Sequence, residues 1–131
     1  MVIIDTSAWI EYFKDGIPGV VAAVDRCLES DLVGIGDLVY CEVVQGIKVR
    51  SELEQVTSLY RSLPQFDMVG FSVAEKAAEN YRRLRSKGVT IRKTIDVLIG
   101  TFCAENQFEL LHNDRDFTLM ATHIGLKIYK F

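Results

Sequence analysis

Along this chain short apolar runs alternate with longer stretches in which apolar residues return every three or four positions, and the two rhythms predict strands and helices in turn. The run "VII" at 2–4 is β-branched and stops at Asp5; "TSAWIEYF" follows, with Thr6 or Ser7 placed to cap a helix. Gly16 and Pro18 punctuate a loop, after which Val20, Val21, Val24 and Leu28 keep helical spacing in "GVVAAVDRCLES". "LVGIG" reads as a brief buried strand and Asp37 as the cap of a helix through "LVYCEVVQGI", with "SELEQVTSLYRSL" continuing helical to Pro64. A short strand around "FDMVGF" precedes Ser72-x-x-Glu75, a capping-box pattern that opens a helix running to about Lys87, before Gly88. Thr94 opens "IDVLIGTFCAEN", apolar on nearly all sides and therefore expected between other layers. "FELLH" is a strand, "DFTLMATHIG" a helix ended by Gly125, and "LKIYKF" a last strand.

Strands separated by helices are the signature of a parallel sheet covered on both faces. The expected fold is therefore α/β, a three-layer α/β/α sandwich with a mainly parallel central sheet. At 131 residues, with no repeat, low-complexity segment or linker, the chain is expected to form one domain over 1–131. Ligands in such sheets bind beyond the carboxyl ends of the strands, near the point where strand order reverses. Residues immediately after strands are the first to examine.

Composition adds exclusions. With 49% hydrophobic residues in regular segments the chain is not disordered, and no apolar run approaches the roughly 18 residues of a membrane span. The start "MVIID" has no basic stretch before an apolar core, so no secretory signal is read and the cytoplasm is expected. Cys27, Cys41 and Cys103 are odd in number and lack C-x-x-C spacing, which excludes a complete disulfide framework; buried thiols are expected. With only His112 and His123 beside them, structural zinc has little support. A net charge of −3 argues against holding nucleic acid by bulk electrostatics. Basic residues do crowd "RRLRSKGVTIRK", where Arg82, Arg83, Arg85, Arg92 and Lys93 form either a phosphate-facing strip or a solvated helix end and loop.

The acids carry the chemistry. Asp5 ends the first strand and Asp114 follows "LLHN", so a parallel sheet places both at one edge. Glu42 lies one turn beyond Leu38 and Val39, at the border of a core-facing stripe, and Asp96 sits in the first turn of the most apolar helix. Asp116 stands one residue beyond Asp114. Singly, each has a local explanation. Asp5, Asp114 and Asp116 can cap or turn, Asp96 can complement a helix dipole, and Glu42 can be a partly exposed helix residue. Trp9, Tyr12 and Phe13, at helical spacing, suit a core or a partner groove better than base stacking.

As a set, "VIIDTSAWIEYF", a Glu in the third helix, "RKTIDVLIG" and "LLHNDRDF" resemble the four signature blocks of the PIN domain, in the version found in toxins of VapBC toxin–antitoxin pairs. The resemblance spans almost the whole chain in order, spacing and flanking residues. It implies that Asp5, Glu42, Asp96 and Asp114 are metal-binding carboxylates, with Asp116 auxiliary and Thr6 a hydroxyl that orients water or metal. Four carboxylates in one pocket repel one another, and a hard divalent ion removes the conflict; all-oxygen donors suit Mg²⁺ or Mn²⁺. The implied activity is metal-dependent cleavage of single-stranded or structured RNA by an endoribonuclease, with Arg82, Arg85, Arg92 and Lys93 as a local rim for the RNA. The implied partners are a VapB-like antitoxin, which wraps a groove and pushes an Arg toward the acids, and a second copy in a homodimer. The rival from another class is a catalytically inactive PIN-like module that binds RNA or protein. A receiver-like or phosphatase-like phosphotransfer domain ranks lower, since "DTSAW" offers no D-x-D at the first strand.

Overall fold

The computed structural model describes all residues, 1–131. In chain order its elements are β1 (Val2–Ile4), α1 (Thr6–Phe13), α2 (Pro18–Glu29), β2 (Val33–Gly36), α3 (Asp37–Gln45), α4 (Arg50–Arg61), β3 (Gln65–Phe66), α5 (Phe71–Ser86), α6 (Thr94–Asn106), β4 (Glu109–Leu111), α7 (Arg115–Ile124) and β5 (Lys127–Ile128). Every strand pair is parallel and the sheet order is β3-β2-β1-β4-β5.

That order follows from short parallel strands joined by right-handed crossovers. The chain steps from β1 outward to β2 and β3, laying α1 to α4 over one face, then returns past β1 to β4 and β5 and lays α5 to α7 over the other. The packing agrees: α1 meets α2 and α3, and α3 meets α4, while α5 meets both α6 and α7. The α/β/α sandwich expected from the sequence is thus the fold, and strand order reverses between β1 and β4.

Because β1 is covered on both faces, all three of its residues are buried, and so are Leu110 and Leu111 beside it on β4. Trp9 of α1 is wholly buried, stacked on Phe13 at 5.4 Å and meeting Tyr60 of α4 edge-on at 5.1 Å. Trp9 is core, while Tyr12 and Phe13 are half-buried against it. Helix α6 buries seven of its residues, in keeping with its all-round apolar sequence. No helix is long and apolar enough to cross a membrane.

Several local expectations are corrected. Helix α5 starts at Phe71 from Gly70, whose φ of 87° turns the chain early, so Ser72 already lies inside the first turn and makes no capping bond. Asp37 is the first residue of α3 rather than its cap. Its Oδ1 accepts from Leu38 N at 2.8 Å and from Met68 N at 2.9 Å, which pins the loop after β3 to the end of β2. Gly36 is needed there, because a Cβ would collide with the Met68 side chain. A break at Gly46–Val49 separates α3 from α4; β3 is only Gln65–Phe66, at the front of the strand expected around "FDMVGF", and β5 keeps only Lys127–Ile128 of "LKIYKF". Cys27 and Cys103 are buried thiols, but Cys41 is exposed.

Candidate metal centre

The β1–α1 junction begins with Asp5, whose extended backbone lets its side chain turn back over the helix it precedes. Asp5 Oδ2 accepts from Ser7 N at 2.9 Å and Ser7 Oγ at 2.6 Å. The same hydroxyl accepts from Asn113 N at 2.9 Å, and Asp5 N donates to Leu111 O at 2.9 Å. Ser7 therefore stitches the end of β1 to the end of β4. On the β4 side, Asp114 caps α7, its Oδ1 accepting from Asp116 N at 3.0 Å. The capping role first considered for Asp116 belongs to Asp114, and Asp116 lies in the first turn. Asp114 N donates to His112 Nδ1 at 3.1 Å, which assigns the ring proton to Nε2 when the imidazole is neutral.

Capping thus accounts for one oxygen of Asp5 and one of Asp114 and leaves the others free for chemistry. Oxygens from Asp96, Asp114 and Asp116 lie within 4.8 Å of one another. Asp5 Oδ1 and Asp96 Oδ2 are buried without any hydrogen-bond partner. Glu42 is half-buried one helix away, where Thr6 Oγ1 donates to its Oε1 at 2.9 Å.

The convergence has an electrostatic consequence. Burial, then Asp5 and Asp114, push the Asp96 carboxyl up to about 7, with Lys93 opposing and Glu42 adding. Burial also raises Asp5, over the opposition of its Ser7 bonds, and Asp114 adds to the rise. Such groups hold protons at the expense of charge unless a cation joins them. The orphaned oxygens and an all-carboxylate donor set fit a hard divalent ion, with Asp96, Asp114 and Asp116 grouped closely and the charges of Asp5 and Glu42 both felt at Asp96.

A family model for the PIN domain matches residues 2–122. The chain belongs to the PIN domain family. Over 138 aligned residues it is 31% identical to a VapC ribonuclease of Mycobacterium bovis and to ribonuclease VapC11 of Mycobacterium tuberculosis, covering 100% of this chain and 99% of each relative. Its fold matches DNA-bound VapBC from Salmonella typhimurium with a TM-score of 0.76 at 17% identity, over 98% of this chain and 96% of that one. VapBC2 from Rickettsia felis, bound to a fragment of its promoter DNA, gives 0.75 at 16% identity, over 100% and 99% of the two chains.

In this PIN domain the basic residues named from sequence have different neighbours. Arg92 pairs with Asp116 at 3.2 Å and lies 3.8 Å from Asp114, and Lys93 is near enough to ease ionisation of Asp96. Arg82 borders the α5–α6 groove beside Thr94, and Arg85 lies over the Tyr81 ring. Ser7 and His112 are the two neighbours of the acids that sequence reasoning missed as site residues. Ser7 was legible only as a helix cap. The bond that ties it to Asn113 crosses 106 residues and has no local signal.

Proposed function

We propose that this PIN domain is a Mg²⁺- or Mn²⁺-dependent endoribonuclease, the toxin component of a toxin–antitoxin pair. The observation that carries the reading is the pair of buried, partnerless carboxylate oxygens, Asp5 Oδ1 and Asp96 Oδ2, at the edge where Asp114 and Asp116 also converge. Full-length likeness to VapC ribonucleases supports the reaction class.

In this reading Asp5, Asp96 and Asp114 hold the ion, with Asp116 and Glu42 completing its surroundings. The bound ion supplies an activated water and neutralises charge on the phosphodiester being hydrolysed. Ser7 keeps Asp5 Oδ2 occupied and so aims Oδ1 inward, and His112 fixes the backbone at Asp114. Thr6 holds the Glu42 carboxylate against the site through its hydroxyl. All the acids of the resemblance are intact, which favours cleavage over an inactive binding module.

For the antitoxin we read a groove of about 490 Å³ between α1 and the α3–α4 segment, lined by Ile10, Phe13, Val43, Ile47 and Val49 and reaching Glu42. Ile10 and Val49 are exposed apolar residues there, as expected of a seat for an amphipathic partner helix. The homodimer of the resemblance would suit the apolar hollow between α5 and α6 beside exposed Phe71.

Purified protein should cut single-stranded RNA with Mg²⁺ or Mn²⁺ and stop with EDTA, and Asp5→Ala should lower the rate by roughly a hundredfold or more. Induced expression of wild type should arrest growth and Asp5→Ala should not. Cleavage indifferent to chelation, or equal toxicity of the two proteins, would overturn the reading.

A further inference from the structure

The three-residue lead into α6, Ile91 to Lys93, anchors itself by burying Ile91 and holds Arg92 over the acid cluster. Arg92 Nε donates to Asp116 Oδ2 at 3.2 Å, and Nη2 lies 3.8 Å from Asp114 Oδ1. Its acceptors are two of the three acids whose oxygens crowd within 4.8 Å. They differ from Arg92 in one respect that matters. The Asp116 side chain is 9% exposed and that of Asp114 22%, whereas Arg92 is 75% exposed.

The carboxylates are therefore fixed and the cation is loosely held. A guanidinium is planar, spreads a single charge over its fork, and needs its acceptors in line with its N–H bonds. A hard divalent ion instead draws oxygens into a compact shell at about 2.0–2.2 Å. Asp116 Oδ2 cannot serve both geometries at once, and Asp114 Oδ1 is already committed to Asp116 N at 3.0 Å. Water can solvate a mostly exposed guanidinium once it is released, so the exchange costs little on the arginine side.

We infer that Arg92 is a built-in counter-ion to Asp114 and Asp116 that competes with the divalent cation and has to release Asp116 when the metal binds. The inference rests on the metal reading proposed above and adds a positioning residue to it. In the metal-free protein Arg92 keeps the two acids from repelling each other and preserves their placement. Its price is weaker binding of the ion, so the residue sets the metal concentration at which the site loads. The adjacent Lys93 makes no such ion pair, which singles out position 92.

The test is Mn²⁺ titration of the intact, metal-stripped chain at fixed ionic strength, followed by the loss of the free-ion electron paramagnetic resonance signal. It compares wild type, Arg92→Gln, Asp116→Asn and the double variant, with circular dichroism to verify folding. Arg92→Gln should bind Mn²⁺ about three- to fivefold more tightly, the scale of one exposed ion pair. In the Asp116→Asn background the same change should have much less effect, because the acceptor that Arg92 occupies is gone. Unchanged or weaker binding in Arg92→Gln would overturn the inference while leaving the metal site standing. So would an equal gain in both backgrounds, which marks a long-range charge effect rather than a seated pair. Absence of Mn²⁺ binding in wild type and Arg92→Gln alike would overturn the metal reading together with this one.

Discussion

Around α1, polar atoms are left without partners in two opposite settings. In the seam where Trp9 and Phe13 meet Tyr60, the indole Nε1 and the Tyr60 hydroxyl are buried and unpaired. At its start, Asp5 Oδ1 is equally unpaired, as is Asp96 Oδ2 on α6. The seam's orphans are single neutral donors among rings, and they add only a local desolvation cost to a packed core. The orphans at the start belong to acids whose charges reinforce one another. Unsatisfied polarity therefore points to a ligand where like charges converge, and to a packing compromise where they do not.

Breaking the seam should cost the most. Trp9→Ala removes the largest fully buried side chain and should destabilise the fold by about 3–5 kcal/mol in urea unfolding, with RNA cleavage per folded molecule largely kept. A loss below about 1 kcal/mol would mean that the seam is not what holds α1 in place.

The acid end should respond to pH in the sense set by its raised carboxyls. Asp96, at about 7 in the folded chain against 3.8 ordinarily, binds its proton more tightly folded than unfolded. Its contribution is thus fully present below about pH 4 and is lost as pH rises through about 7. In chelator, wild type should lose about 2–3 kcal/mol relative to Asp96→Asn across that window, read from urea midpoints. Parallel pH profiles for the two proteins would contradict the crowding of charge around Asp96.

The smallest effect separates positioning from packing. Thr6→Val keeps the shape of Thr6 but removes the donor to Glu42, and should cost about 1 kcal/mol with a lower cleavage rate. A rate equal to wild type would remove Thr6 from the site.

The same contrast explains what the sequence discloses. The sandwich and its carboxyl edge were legible because β-branched runs such as "VII" end directly on acids, and a parallel sheet aligns those ends. Asp5 and Asp114 are legible as acids that follow strands, Asp96 from its place in the first turn of the most apolar helix, and Glu42 from the border of its helix's core-facing stripe. What escaped was set by distant partners. Asp37 has the local look of a cap, but its carboxylate also answers to Met68 N across 31 residues. Ser72 and Glu75 form a capping pattern that Gly70 pre-empts by starting α5 one turn position early. Arg92 looked like part of a basic strip, and only the folded chain brings it to Asp114 and Asp116.

The central claim is that these acids share one hard divalent cation, and the melting temperature of the intact chain tests it most directly. Adding millimolar Mg²⁺ or Mn²⁺ after chelator treatment should raise the midpoint of wild type by about 5–10 °C and that of Asp96→Asn far less. Midpoints that do not move in either protein, or that move equally in both, would contradict it.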